Sequence, residues 1–322
     1  MPELSVIIVN WNSKDFVRQC LASLVAHGRD VSLEVIVVDS GSFDGCGEML
    51  TREFPAVKFI QSGKNIGFAR ANNLGALSAG GQYLWFLNPD TELKENCVRI
   101  LMGKLAVLPQ AGAIGCKLLN SDRSLQASCV QAFPTVFNQV INSEYLRRRF
   151  PYWKIWGNAI LRANPPRTEQ VEVLSGACIM ARREVFNAVG GFTEQYFMYG
   201  EDADLCFKIA RAGHAVYYTP ETSIVHYGGG CSRQAQNNFS NVMMRESVYR
   251  FLKLNHGLSR AAAYRAAMAV SSVIRLPLIF LLLPVSSNRV VRHGTGSLQK
   301  WFSILRWGLG LESWVQTYPE TA

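Results

Sequence analysis

The chain has 322 residues, 48% hydrophobic and 18% charged, and its 33 Lys and Arg against 24 Asp and Glu give a formal charge of +9. That composition excludes a disordered chain, the absence of a fixed repeat argues against a solenoid, and the length suits one large or two modest domains with a sizeable core. Eight dispersed cysteines without a C-x-x-C pair exclude a disulfide-stapled scaffold and argue against structural zinc; reduced, mostly buried thiols are expected, Cys231 among them.

Met1-Pro2-Glu3-Leu4-Ser5 has no basic n-region and no small-residue cleavage site, so no secretory signal is expected and a cytoplasmic location is. Leu4 to Val9 reads as a strand buried on both faces. Asn12 or Ser13 is placed to cap a following helix, in which Phe16, Val17, Cys20, Leu21, Leu24 and Val25 share one face until Gly28. Leu33 to Val38 and Val57 to Ile60 read as strands, Ala69 to Ala79 as a helix, and Tyr83 to Leu87 as another buried strand. This alternation predicts an α/β fold, with an open parallel sheet and helices on both faces.

Ligands of such sheets sit beyond the carboxyl ends of the strands. The segments there are Asn10-Trp11-Asn12, Asp39-Ser40-Gly41-Ser42, Gly63-Lys64-Asn65-Ile66-Gly67 and Asn88-Pro89-Asp90. Turn chemistry alone favours such residues, but four polar loops converging on one edge point to a site. Farther on, a helix is predicted over Glu95 to Leu108 and a strand over Ala113 to Lys117, then irregular chain from Gln126 to Thr168. Order returns at Val171 to Ala181, in a helix from Glu201 to Ala212, and in two short strands, Ala215 to Tyr218 and Ser223 to Val225.

The tail is rich in Ala, Val and Leu between Ala261 and Val285, but its longest apolar run, Leu276 to Val285, is short and holds Pro277 and Pro284. A spanning helix needs about 20 apolar residues. Arg260, Arg265, Arg275, Arg289 and Arg292, with Trp301, Trp307 and Trp314 beyond, suit contact with an anionic membrane surface. Packing on the rest of the chain or across a homo-oligomer interface is the other reading. A nucleic-acid partner is not expected, because the arginines concentrate in one loop and this apolar tail rather than along one recognition motif.

Asp39, at a strand's carboxyl end, can accept from the imide N–H of uracil or thymine, or it can serve an Asx turn. Asp90 follows a buried strand where a divalent cation bridging a diphosphate would sit, although Asn-Pro also marks a turn. Glu201, Asp202 and Asp204 open a helix, where the macrodipole favours negative charge. Residues two apart do not face one another, so one of these carboxylates is expected in the cleft as a base while the others cap or pair. His226 closes an apolar run before Gly228-Gly229-Gly230, which permit close backbone approach or a mobile loop. Neither G-x-G-x-x-G nor G-x-x-x-x-G-K-[ST] occurs in a suitable context, which argues against dehydrogenase and P-loop readings.

In order, Ser5-Val6-Ile7-Ile8-Val9-Asn10-Trp11-Asn12, Val37-Val38-Asp39-Ser40-Gly41-Ser42, Asn65-Ile66-Gly67-Phe68-Ala69-Arg70-Ala71-Asn72-Asn73 and Leu87-Asn88-Pro89-Asp90 run through the first part. Ser175-Gly176-Ala177, Gly190-Gly191-Phe192, Glu201-Asp202-Ala203-Asp204-Leu205-Cys206 and His226 follow. This ordered set resembles the inverting family-2 glycosyltransferases of the GT-A fold, especially the rhamnosyltransferase-like branch, over about the first 230 residues; the tail is not covered.

The resemblance implies a Rossmann-like central sheet flanked by helices, with a C-terminal helical extension. It divides the chain into a nucleotide-sugar-binding half at 1–100, an acceptor-binding and catalytic half at 101–230, and a helical tail at 231–322. It implies Val9, Asn12 and Asp39 as the nucleotide cradle, and Lys64, Asn65, Gly67, Phe68 and Asn72 as a loop closing on the donor. Asp90 matches the last residue of the family's D-x-D metal motif, Asn88 stands where its first Asp would be, and His226 matches a distant metal-binding His for Mg²⁺ or Mn²⁺. Asp202 matches the catalytic base, with Ser175, Gly176 and Glu201 on the acceptor side.

The implied donor is dTDP-rhamnose or a UDP-hexose, and the acceptor a glycan or lipid-linked saccharide in cell-surface polysaccharide synthesis at the inner face of the membrane. Tyr145 to Trp156 mixes cations with aromatics and can meet lipid headgroups, an acceptor's pyrophosphate or its sugars, or simply form a surface loop. A nucleotidyltransferase would show a Gly- and Lys-rich loop where Asn10-Trp11-Asn12 stands. A non-catalytic nucleotide-sugar-binding domain is opposed by the intact Asp39, Asp90, Asp202 and His226.

Overall fold

A computed structural model describes residues 2–28, 30–164, 166–228, 237–282 and 288–317. The N-terminal elements are β1 (Leu4–Asn10), α1 (Lys14–His27), β2 (Leu33–Asp39), α2 (Cys46–Glu53), β3 (Lys58–Gln61), α3 (Phe68–Leu77) and β4 (Tyr83–Leu87). Next come β5 (Thr91–Leu93), α4 (Cys97–Val107), β6 (Ala111–Leu119), β7 (Val130–Gln131), α5 (Val136–Val140) and α6 (Glu144–Arg149). The chain continues with β8 (Glu169–Val171), β9 (Val173–Leu174), β10 (Cys178–Arg182), α7 (Arg183–Ala188), α8 (Glu201–Arg211) and β11 (Ala215–His226). The tail holds α9 (Asn237–His256), α10 (Leu258–Leu282), α11 (Asn288–Gly308) and α12 (Trp314–Thr317).

The main sheet runs β3-β2-β1-β4-β10-β6-β11-β5, with β8 on β11. Its first four strands are parallel, as expected from their continuous apolar runs, and every residue of β1 is buried. The expectation of a wholly parallel sheet fails at β10, which lies antiparallel to both β4 and β6. The chain reaches β10 through the irregular segment after β6 and not through a single crossover helix, so nothing fixes a parallel direction.

Two expected short strands are one. β11 runs unbroken from Ala215 to His226, with a register shift against β6 between Thr219 and Ser223. Pro220 lies in the shifted stretch; lacking an N–H, it cannot hold a ladder position. Neither expected cap of α1 forms through its own side chain. Ser13 N–H and Oγ both donate to Asn10 Oδ1 (3.2 and 2.9 Å), and the Lys14 N–H is taken by Asp44 Oδ2 at 2.8 Å.

The principal core joins the sheet to its helices, with Trp85 and Phe86 fully buried and an edge-on aromatic cluster of Phe86, Phe186 and Phe192. The seven described cysteines are buried and free; Cys231 lies outside the described residues, as do Gly229 and Gly230. A second core joins the tail to the strand end: Val242, Phe251, Tyr264, Met268 and Trp307 pack with Val173, Tyr196, Phe197 and Ala203.

α10 continues through Pro277, which lies in the longest apolar run of the tail. A single missing N–H removes one backbone bond, and contacts with α9 and α11 hold the rest of the helix. Its residues Leu258–Leu281 are long and apolar enough to cross a membrane by length and composition, with 22% of the apolar window buried. Arg275 ties this helix inward, donating to Val140 O at 2.8 Å and lying over Trp301 at 4.3 Å. Val270, Val273, Ile274, Leu278, Phe280 and Leu281 are left exposed. Pro284 and Val285 lie outside the described residues, as do the side chains of Arg289 and Arg292.

Candidate active site

The carboxyl ends of β1, β2 and β4, the start of α8, the end of β11 and the near face of α9 surround one cleft of about 430 Å³. One side carries Val9, Asn65, Gly67, Phe68, Asn88 and Asp90. The other carries Ser175, Gly176, Glu201 and Asp202, and His226 closes the sheet edge. These expected site residues therefore meet. Asn12, Asp39, Lys64 and Asn72 do not line this cleft.

Their placements have physical reasons. Asn12 is exposed, with φ of 50°, and Lys64 is exposed on its loop. Asn72 is buried and donates to Phe68 O at 3.0 Å within its own helix. Asp39 faces a neighbouring depression with Phe43, Asp44 and Phe59. Its carboxylate accepts from Asn10 Nδ2 at 2.6 Å, Ser42 Oγ at 2.5 Å, Ser42 N at 2.8 Å and Gln61 Nε2 at 2.8 Å. Burial pushes its pKa up, but the bonds from Ser42, Asn10 and Gln61 outweigh that and hold it below the usual carboxylate value.

The donor-side loop is pinned by Asn65, whose Oδ1 accepts from Ser40 Oγ at 3.1 Å and from the Gly67 N–H at 3.0 Å. Gly67 has φ of 79°, and a Cβ there would lie 2.6 Å from Phe197 O. That carbonyl accepts the Phe68 N–H at 2.9 Å, tying the start of α3 to the segment that leads into α8. Only glycine fits this approach.

At the sheet edge, His226 Nε2 lies 3.3 Å from Asp90 Oδ1 and 3.4 Å from Asn88 Nδ2. Gln126, which sequence reasoning did not single out, fixes the ring: its Nε2 donates to His226 O at 2.7 Å, leaving Oε1 to meet Nδ1 at 3.0 Å. Nδ1 thus carries the proton that meets Gln126 Oε1, and the other ring nitrogen, Nε2, faces Asp90. Two acceptors face one another there and call for a proton or a cation between them. Among the described residues Asn88 Oδ1, buried beside them, has no partner. A carboxylate, an imidazole and an amide oxygen suit Mg²⁺ or Mn²⁺. Among the described residues no cluster of three or more His, Cys, Asp or Glu occurs, so a cation would need the Asn88 amide, water or a ligand oxygen as well.

Asp202 opens α8 beside the Ser175-Gly176 turn. Its Oδ2 accepts from Gly176 N at 3.0 Å and its Oδ1 from Ala203 N at 2.8 Å. Burial raises the Asp202 carboxyl above its ordinary value, with the Gly176 and Ala203 N–H groups opposing. Burial and then the Asp202 charge push Glu201 up to about 8, and Glu201 Oε2 has no partner among the described residues. Asp204 turns the other way, accepting from Thr193 Oγ1 at 2.5 Å and Asn255 Nδ2 at 2.8 Å. The divergence of Asp202 and Asp204 is the one the helix geometry predicted, but Glu201 departs from the expectation that the remaining carboxylates cap or pair, since it lines the cleft beside Asp202.

Arg147, from the Tyr145 to Trp156 stretch that the sequence offered for an acceptor's pyrophosphate, lines the far wall, and sequence reasoning missed its neighbours there, Gln131, Gln139, Asn142, Met244 and Arg245. These residues lie in the irregular segment and in α9, where no local motif marks them.

Comparisons with known proteins agree with this geometry. Residues 5–190 match the family described as Glycosyl transferase family 2. An N-acetylglucosaminyl-diphospho-decaprenol L-rhamnosyltransferase of Mycobacterium tuberculosis is 30% identical over 239 residues, covering 70% of this chain and 76% of that protein. Rhamnosyltransferase WbbL of Escherichia coli K12 is 26% identical over 232 residues, covering 69% and 82%. A mannosyltransferase from Pyrobaculum calidifontis, solved with GDP-Man and Mn²⁺, superposes with a TM-score of 0.59 at 18% identity over 97% of this chain and 88% of that one, a likeness of fold.

Proposed function

The chain belongs to glycosyltransferase family 2, in its rhamnosyltransferase-like branch, and from that premise we propose that it moves rhamnose from dTDP-rhamnose, with inversion, to a hydroxyl of a lipid-linked saccharide. Sugar transfer in glycan biosynthesis is its activity. The observation that carries the finer reading is the single cleft in which the Asp202 carboxylate shares space with Asn88, Asp90 and His226.

In this reading Asp202 is the base. Two backbone N–H groups orient its carboxylate, and burial raises its proton affinity toward that needed to deprotonate a sugar hydroxyl. The acceptor oxygen gives its proton to Asp202 as it bonds to the anomeric carbon, and the bond from that carbon to the nucleoside diphosphate breaks on the opposite face. Asn88, Asp90 and His226 would hold a divalent cation, which supplies charge to offset that building on the departing diphosphate. Asn65, Gly67 and Phe68 shape the donor's path. A thymine or uracil ring would offer Asp39 its imide N–H where Gln61 or Ser42 now donates.

The donor is assigned to residues 1–100 and the acceptor to 101–230, with the tail at 231–322 resting on the inner face of the membrane. The exposed apolar side of α10 and the charge of +9 support that last assignment.

Release of free nucleoside diphosphate across a panel of dTDP- and UDP-sugars, with and without Mn²⁺, tests the reading. Turnover with dTDP-rhamnose is expected, together with a loss of about 10²–10⁴-fold in Asp202→Asn. Full turnover by folded Asp202→Asn would remove Asp202 as base, and preference for a UDP-hexose would replace the donor.

A further inference from the structure

The wall of the cleft opposite the sheet edge holds cations that the mechanism above leaves unused. Arg245, on α9, is 8% exposed and lines the cleft. Among the described residues its Nε is buried with no partner, while its other nitrogens meet Gln139 Oε1 at 3.5 Å and the Met244 sulfur at 3.8 Å, and the guanidinium lies beside the buried Tyr264 hydroxyl, none of them a counter-charge. Arg147 lines the same wall, its Nε also buried with no partner among the described residues, and its guanidinium lies over Trp156 at 5.6 Å. Behind them the Arg275 guanidinium has its pKa held below the ordinary value by burial and then by the charge of Arg245. Among the described residues none of the three arginines forms an ion pair with a carboxylate.

Buried cations without a counter-charge are costly, and like charges close together add to the cost. A guanidinium fork held this way is preorganised for the bidentate oxygens of a phosphate. We propose that Arg245 and Arg147 form the subsite for a phosphate or diphosphate carried by the acceptor.

Position favours the acceptor over the donor. α9 abuts the approach to the base, since Ser247 Oγ donates to Met198 O at 3.0 Å, just before Gly200 and Asp202. The hydrogen bonds of Asn88 and His226 run instead to one another, Gln126 and Ala177. An acceptor sugar whose hydroxyl meets Asp202 therefore has its linked anion beside Arg245. The inference rests on the transferase reading for the identity of the acceptor, but the anion subsite is measurable without turnover.

Titration calorimetry of the full chain in EDTA, with inorganic diphosphate and with geranyl diphosphate, reads this subsite; dTDP and UDP with Mn²⁺ read the donor side. Arg245→Gln should weaken both diphosphates about 10–100-fold, the worth of a charge-assisted pair of hydrogen bonds, and leave nucleotide affinity within about twofold. Arg147→Gln, on the half-buried side, gives the same comparison should Arg245→Gln not fold. Tighter binding of the prenyl compound assigns the anion to a lipid headgroup and equal binding to a soluble phosphorylated acceptor, and both support the subsite. Loss of nucleotide affinity in parallel with diphosphate affinity, or diphosphate binding untouched by either substitution, overturns it. Wild-type protein that binds neither nucleotide fails the transferase reading instead.

Discussion

Glu201→Gln isolates the electrostatics at the start of α8. The folded state holds the Glu201 carboxyl at about 8 against an ordinary 4.5, first through burial and then through Asp202. Between those values the folded chain binds a proton that the unfolded chain has released, so stability falls as pH rises. Each unit of that window is worth about 1.36 kcal/mol, so from pH 6 to pH 8 this one group removes up to about 2–3 kcal/mol from the wild type. Glutamine keeps the shape of the neutral acid and cannot ionise. Groups remote from α8 titrate alike in both proteins, so the difference between two urea-denaturation series at pH 6, 7 and 8 reports Glu201 together with its coupling to Asp202. Glu201→Gln should already exceed the wild type by about 2 kcal/mol at pH 6, because the loss begins near the unfolded value of 4.5, and the gap should widen by about 2–3 kcal/mol more toward pH 8. Two stability curves that stay parallel across this range would refute the assignment of a buried, proton-holding Glu201.

Three further outcomes are expected. Asp90→Asn should raise the Mn²⁺ concentration needed for half-maximal nucleoside diphosphate release by at least about tenfold, and EDTA should stop release in the wild type; turnover indifferent to EDTA would remove the cation from the mechanism. Gly67→Ala forces a Cβ against Phe197 O at a positive φ and should cost about 1–3 kcal/mol in a denaturant titration, whereas an unchanged midpoint would mean that the loop yields freely. In flotation assays the chain should rise with anionic vesicles, less so at high salt, and Phe280→Asp with Leu281→Asp should weaken this; absence from the vesicle fraction at low and high salt alike would remove the membrane proposal.

The parallel half of the sheet was readable because β1, β2 and β4 are continuous apolar runs separated by helical periodicity. The direction of β10 was not, since an apolar strand carries no mark of which way it is entered. The division between Asp202 and Asp204 followed from helix geometry, because residues two apart diverge. The orientation of Asp39 was hidden: whether a carboxylate points at a cleft or gathers its own loop depends on Asn10 and Gln61, which lie far away in sequence. Gln126 and Arg245 were invisible for a similar reason. Each acts through a partner about 100 residues away, His226 for Gln126 and Gln139 for Arg245, and neither belongs to a local pattern.

The pinch at Gly67, where the Phe68 N–H meets Phe197 O, works as a mechanical hinge pin between the nucleotide side and the strand-to-helix corner bearing the base. Cargo that displaced residues 65–68 would press on residues 197–202 through this contact, so an engineered change of nucleotide preference near Asn65 would be expected to retune how the second substrate is gripped as well.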